Sequence, residues 1–349
     1  MSVSAPVTVL LPVHNGARWL PQAIDSVLAQ TFSDFELLVV DDGSGDATGE
    51  VLAAVSDPRL RVLRHATNQG IVVSLNHGLE AARGELIARM DADDVCRPDR
   101  LARQVAVLER QQEVGIVGGA IQQVDTAGTP IAAPVLGLPT RPAHIRWLLW
   151  WHNVVNHPTV LARRSVLSTL DGYDPAAFPA EDYDLWLRAA ELTQLANVAE
   201  VVLDYREHGG NVSRLRAAEA TQRALCAAVS AQGRALGRSV PVEAVALIRE
   251  PHRLRHDSAA PVRAALASLR DLTAVWQATA APQAADRALV EADAASWVAS
   301  LALAALPAHP ARAGAVLRHR AALPAAAVGR AVVQGVAQRA RRRLPRRRP

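Results

Sequence analysis

Two short apolar runs in this chain stop at acidic clusters: the run at 35–40 leads into Asp41-Asp42-Gly43-Ser44, and the run at 85–90 leads into Asp91-Ala92-Asp93-Asp94. Such runs alternate with helical spacing as far as Gly118. The pattern predicts strands at 7–13, 35–40, 60–64, 86–90 and 114–118, with helices at 19–30, 47–54, 71–82 and 98–110 between them. An alternating β/α chain of this kind builds a parallel sheet with right-handed crossovers, and such sheets bind ligands beyond the carboxyl ends of their strands. Both acidic clusters are therefore expected on one crevice.

Crowded carboxylates repel one another, so they share a proton, accept hydrogen bonds or hold a hard cation. Asp91 and Asp93 stand at alternate positions of an extended turn, which points both carboxylates to one side. That suits a magnesium or manganese ion that also takes diphosphate oxygens. The plain alternative is helix capping, because Asp93, Asp94 and Asp99 precede the helix at 98–110. At the end of the second strand, a carboxylate can accept the imide N–H of uracil or thymine and refuse cytosine, whose equivalent nitrogen is itself an acceptor.

Further blocks stand in a fixed order around these clusters. The first strand ends in Pro12-Val13-His14-Asn15 and is followed by Arg18-Trp19-Leu20 and Gln30-Thr31-Phe32. After Asp41-Asp42-Gly43-Ser44 come Asn68-Gln69-Gly70, Asp91-Ala92-Asp93-Asp94, Pro98-Asp99-Arg100-Leu101 and Glu181-Asp182-Tyr183-Asp184-Leu185-Trp186-Leu187-Arg188. In this order the blocks resemble the family 2 glycosyltransferases of the GT-A fold, from residue 5 to residue 214.

The resemblance implies an α/β fold with a Rossmann-like nucleotide-binding half and a mixed sheet, and an inverting, metal-dependent transfer from a nucleotide-sugar donor to an acceptor hydroxyl. It implies a nucleotide site at Pro12, His14, Asn15, Asp41, Asp42, Asn68 and Gly70, with Asp42 on the base and Asp41 orienting the turn. Asp91 and Ala92 would hold the donor ribose or sugar, and Asp93 a Mn2+ or Mg2+ ion, with Asp94 in support. The block Tyr205-Arg206-Glu207-His208-Gly209-Gly210-Asn211 makes His208 a candidate ligand or diphosphate contact. Asp182 would be the general base and Glu181 an acceptor-binding residue. Each position also has an ordinary explanation: an Asx turn at Asp41, a loop turn at Asn68 and Gly70, a loop histidine at 208, and first-turn acids favoured by the helix dipole at Glu181 and Asp182. Trp147, Trp150 and Trp151 offer either sugar-stacking faces, Trp151 foremost, or core packing.

The expected organisation is a GT-A domain at 1–214, divided into a nucleotide-binding half at 1–118 and an acceptor half at 119–214. An Ala/Arg-rich helical extension follows at 215–340, and a basic tail at 341–349. The chain has 349 residues, half of them apolar, and only two cysteines, Cys96 and Cys226, too far apart for a Cys-x-x-Cys pair. No zinc site or disulfide framework is expected, and a reduced cytosolic setting fits. A pI of about 9.8 suggests nucleic acid. The last nine residues hold six arginines, however, and without them the formal charge goes from +4 to −2. The body is therefore not basic, no nucleic-acid partner is expected, and the tail is a candidate contact for an anionic membrane or a solubilising end.

The opening stretch lacks basic residues before its apolar part and reads as a strand rather than a signal peptide. The uncharged run at 294–306 is shorter than the about 20 residues that a span needs. Other enzyme classes fit less well. A glycosidase needs two carboxylates across one sugar, and a sugar nucleotidylyltransferase would open with a Gly-rich phosphate loop and a lysine, whereas this chain has no lysine. A non-catalytic nucleotide-sugar binding protein would lack one of the three sites. Single-sugar addition is expected, because Gln-x-x-Arg-Trp and membrane helices, the marks of processive members, are absent. The expected setting is bacterial surface polysaccharide or glycolipid assembly, with a saccharide or lipid-linked acceptor, in the cytoplasm or at the inner face of the membrane.

Overall fold

The computed structural model describes residues 6–251 and 259–305, with isolated positions at 313, 316, 317, 329, 331 and 332. The basic tail lies outside the described residues. Two compact units emerge: residues 1–146 with 153–224, and residues 147–152 with 225–349. The second unit thus begins at Leu225, inside a helix at Ala217–Leu236, later than the composition change at 215, and it takes the tryptophan segment with it.

In the first unit, β1 (Val7–Val13), β2 (Phe35–Asp41), β3 (Leu60–Arg64) and β4 (Leu86–Arg89) pair in parallel in the order β3-β2-β1-β4. β1 and β2 are buried along their whole length, as continuous apolar runs in a two-sided parallel sheet should be. The crossover helices α1 (Leu20–Leu28), α2 (Thr48–Ala53) and α3 (Ile71–Ala81) begin just beyond the carboxyl ends of β1, β2 and β3. Register places Val13 opposite Asp41 and Leu10 opposite Arg89, so the ends of β1, β2 and β4 form one rim.

The sheet then reverses. β5 (Val95–Cys96) follows the second acidic turn, and helix α4 (Arg100–Arg110) leads into β6 (Val114–Val124). β7 (Leu161–Arg163) lies antiparallel between β4 and β6, while β8 (Gln194–Arg206) runs parallel to β6 and antiparallel to β5. The full order is β3-β2-β1-β4-β7-β6-β8-β5.

The sequence pattern ends β6 at Gly118 and assigns no strand to β7 or β8. Glycines are ordinarily strand breakers, but a Cβ at Gly118 would lie 2.3 Å from Asn197 Oδ1, and one at Gly119 would lie 2.6 Å from Val202 Cγ2. The two glycines let β8 approach β6 where their pairing is irregular, so the strand passes through them.

The second unit contains α10 (Val242–Arg249), α11 (Ala259–Thr279) and α12 (Ala284–Ala305), counted after α5 (Pro142–Leu149), α6 (Arg164–Thr169), α7 (Glu181–Leu192), α8 (Val212–Leu215) and α9 (Ala217–Leu236). Pro261 falls in the first turn of α11, where a missing N–H does no harm. An aromatic cluster forms this unit's core: Trp147 stacks on Trp297 at 5.8 Å and meets Trp151 and Trp276 edge-on. Trp151 is fully buried and lies 5.3 Å from Trp297. A ring with no exposed face offers none to a sugar, so the acceptor role expected of Trp151 gives way to core packing. Among the described residues, no helix is long and apolar enough to cross a membrane.

Candidate active site

The first wall of the crevice is a pair of loops tied to each other. The Asn15 N–H bonds Ser44 Oγ, the Asn15 side chain accepts from Gly45 N–H, and the Gly16 N–H bonds Thr48 Oγ1. His14 Nδ1 donates to the carbonyl of Asp42 at 2.8 Å, which leaves its Nε2 to accept from the Asn15 amide. Pro12, opposite Val40, closes the strand below. Asp41 Oδ1 accepts from Ser44 N–H, the Asx turn that the sequence allows, while Oδ2 stands 3.5 Å from Arg64.

Asp42 is buried and already occupied. Its Oδ1 accepts from Gln69 N–H at 2.8 Å and from His65 Nδ1 at 2.7 Å, and its Oδ2 accepts from Gly70 N–H at 2.8 Å. An ionised carboxylate only accepts, so His65 Nδ1 carries hydrogen and its Nε2 takes the Nδ1–H of His77 at 2.7 Å. Burial alone would raise the pKa of Asp42. The bonds from Gln69, His65 and Gly70 outweigh it and hold the carboxyl below its ordinary range.

Gly43 has φ +65, and a Cβ there would sit 2.5 Å from the Thr67 backbone, so this glycine admits the 67–70 loop. Asn68 adds a second acceptor for Gly70 N–H, and Gly70 starts α3 at φ 92.

The second wall is the acidic turn, which Gly16 links to the first: a Cβ on Gly16 would lie 3.8 Å from that of Ala92. Arg89, the last residue of β4, grips Asp91 with both terminal nitrogens at 2.6 and 2.7 Å. Asp93 Oδ2 lies 2.8 Å from His208 Nε2. Because Gly210 N–H donates to His208 Nδ1, the ring's hydrogen is on Nε2 and points at Asp93. Asp94 accepts from Arg206 N–H, and its buried Oδ2 has no hydrogen-bond partner among the described residues. The Arg206 guanidinium braces the turn through the carbonyls of Asp93, Asp125 and Thr126. Trp19 lies 4.3 Å from His208, and the Arg18 guanidinium lies 4.7 Å from the Trp19 ring.

The charges here are poorly compensated. Burial and the neighbouring Asp91 raise Asp93 despite His208, and burial with both neighbouring aspartates pushes Asp94 well above the carboxylate range.

This donor set fits a hard divalent ion. Oxygens of Asp91, Asp93 and Asp94 lie within 4.8 Å of one another. The separation of Asp93 Oδ2 and His208 Nε2 is close to the about 3 Å between adjacent ligands of an octahedral ion. Ligation through Nε2 requires the ring hydrogen to move to Nδ1 and the Gly210 N–H to turn away.

The third group opens α7. Glu181 is buried, and burial followed by the charge of Asp182 raises it to about 7. Asp182 accepts from Asn153 Nδ2 at 2.8 Å and from Tyr183 N–H at 2.7 Å, and burial lifts it despite those bonds and Arg89. Neither residue caps the helix, since Ala180 is at the N-cap position. Tyr173 hydrogen-bonds half-buried His157 at 2.9 Å, and desolvation followed by the charge of Arg89 lowers the pKa of that imidazole well below its ordinary value.

The crevice thus gathers Pro12, His14, Asn15, Asp41, Asp42, Asn68 and Gly70 on one wall, and Asp91, Ala92, Asp93 and His208 on the other. Glu181 and Asp182 interact electrostatically with Arg89. Sequence reasoning did not single out Arg89, Arg206, Asn153, Tyr173 or His65. A cation closing an apolar strand, as Arg89 does, was the one available signal. Arg100, within a motif block, is fully buried and donates to the carbonyl of Arg89 at 2.6 Å, fixing the strand end before the acidic turn.

The family described as Glycosyl transferase family 2 matches residues 8–170. Bacillus subtilis EpsE, named as a glycosyltransferase, is 33% identical over 196 residues, covering 55% of this chain and 69% of EpsE. The O-antigen biosynthesis glycosyltransferase WbnJ of Escherichia coli is 32% identical over 216 residues, covering 60% of this chain and 82% of WbnJ. Staphylococcus aureus TarS 1-349 in complex with UDP-GlcNAc superimposes with TM-score 0.54 at 15% identity, over 95% of this chain and 92% of that one. A mannosyltransferase of Pyrobaculum calidifontis with GDP-Man and Mn2+ gives TM-score 0.52 at 20% identity, over 97% of this chain and 88% of that one.

Proposed function

Since the chain belongs to glycosyltransferase family 2 and has the GT-A fold with a C-terminal helical region, we propose that it moves a single sugar, with inversion, from a UDP- or dTDP-sugar to an acceptor hydroxyl. Its relatives are glycosyltransferases, and that family membership argues against the nucleotidylyltransferase and binding-protein alternatives. The observation that carries the finer reading is the pairing of an undercompensated acidic turn with a second carboxylate pair, bridged by the field of Arg89.

Asp42 Oδ2 accepts one bond, from Gly70 N–H, which leaves it a lone pair for an imide N–H, and Asn68 and Gly70 stand beside it. Asp93, with His208, would hold Mn2+ or Mg2+. When bound, such an ion supplies neutralisation of the charge that develops on the leaving diphosphate. Asp182, fixed by Asn153, takes the acceptor's proton, and Glu181 beside it receives the acceptor.

The likeness to an O-antigen enzyme supports a role in cell-surface polysaccharide or glycolipid assembly, with a saccharide or lipid-linked acceptor, at the cytoplasmic side of the membrane. The arginine tail would rest on anionic lipid there. A thermal-shift panel of nucleotide sugars with and without MnCl2 tests the reading. Stabilisation by a uridine or thymidine diphosphosugar only with metal is expected, and indifference to the whole panel would defeat it.

A further inference from the structure

Arg89 closes β4 directly before the acidic turn. Its side chain is almost wholly buried, and its backbone is locked on both sides: its N–H bonds the carbonyl of Val160, and its carbonyl receives Arg100. Its fork lies end-on to Asp91, one terminal nitrogen to each oxygen, the strongest geometry open to this pair. Glu181 and Tyr173 also face it electrostatically, as does Asp182 from the start of α7. A buried guanidinium needs a counter-charge, and Asp91 is the one in contact.

We propose that Arg89 is a positioning residue: it clamps Asp91 as an acceptor for the donor's hydroxyl groups and withholds it from the divalent ion, which is left to Asp93. The inference rests on the reading of the chain as a nucleotide-sugar transferase. With Arg89 bound, each Asp91 oxygen keeps one lone pair. A hydroxyl hydrogen, carrying a partial charge, can use that lone pair. A divalent ion placed there would face the guanidinium across one carboxylate and be repelled by it. The three aspartates of the turn are therefore unequal, although their oxygens cluster.

The test is Mn2+ binding by EPR titration, alongside donor affinity by calorimetry with the nucleotide sugar that gives the largest shift in the panel. Asp93→Ala should bind Mn2+ at least about tenfold more weakly, whereas Asp91→Asn, which leaves Arg89 without its counter-charge but removes no ligand, should lose clearly less. Arg89→Met frees Asp91 and should tighten Mn2+ by about tenfold while raising the donor's KM. Arg89→Lys, which keeps the charge and loses the fork, should hold Mn2+ at the parental level with an intermediate KM.

Loss of Mn2+ in Asp91→Asn matching that in Asp93→Ala would overturn the proposal, as would unchanged Mn2+ affinity in a folded Arg89→Met. If Arg89→Met does not fold, Asp91→Asn decides alone. A parent that holds no Mn2+ would refute the metal reading instead. The donor then decides: affinity falling about tenfold in Asp91→Asn supports the clamp, and unchanged affinity rejects it.

Discussion

Both acidic clusters stand where an apolar run stops, yet their aspartates end in opposite electrostatic states. Asp42 is surrounded by donors and held below the ordinary carboxylate range, while Asp93 and Asp94, in the turn after β4, are crowded by other acids and lifted above it. The difference lies in what each cluster faces. Asp42 meets the backbone N–H groups of the 67–70 loop, and that bonding serves the fold. The second turn meets Asp91, Arg89 and one histidine, and its remaining demand is for positive charge from outside the chain.

The contrast is tested most severely at Asp93. Asp93→Ala should lower turnover by about 10³-fold or more while the protein keeps its melting curve, and EDTA should stop the parent reversibly. Full activity in chelator would erase the distinction.

A smaller loss is expected at the third group: Asp182→Asn should lower kcat by about 10²-fold or more with donor affinity near the parent's. Proton NMR of the product glycoside should show an inverted anomeric centre, and retention would reject the single displacement.

On the satisfied side, Asp42→Ala should weaken UDP binding by about 1.5–3 kcal/mol and level UDP with CDP by calorimetry. Equal losses for both nucleotides would reduce Asp42 to a loop anchor.

The smallest effect is a gain. Burial lifts Glu181 from 4.5 to about 7, so its folded-state pKa lies above its unfolded one. Its contribution is then fully present below pH 4.5 and is lost as pH rises through about 7. The full shift corresponds to roughly 3 kcal/mol, and local relaxation brings the expected gain of Glu181→Gln at pH 8 to about 1 kcal/mol. Urea unfolding of the two proteins at pH 5 and pH 8 checks the sign.

The parts of this molecule legible in its sequence are those specified locally. β1 to β4 and the helices between them follow from continuous apolar runs and turn residues, and the acidic turns stand where those runs stop. β7 has three residues and β8 pairs irregularly, so neither shows the periodicity from which strands are recognised. Arg89 acquires its meaning only when β4 is laid beside the start of α7, and Arg206 only when β8 crosses the acidic turn. Trp151 shows the same limit in reverse. An aromatic residue suits a sugar or a core equally until its neighbours Trp147 and Trp297 are known.

The aromatic cluster also decides what light reports about this protein. Five of the seven tryptophans, at 147, 150, 151, 276 and 297, belong to the helical unit, and the catalytic unit has Trp19 and Trp186. Intrinsic emission during denaturation will therefore follow mainly the helical unit, and a melt recorded that way should be paired with an activity trace before it is assigned to the enzyme. Trp19, against His208, is an indole beside the metal-ligand candidates, so paramagnetic Mn2+ should quench it selectively, and Trp19→Phe should remove that quenching while leaving the bulk of the fluorescence in place.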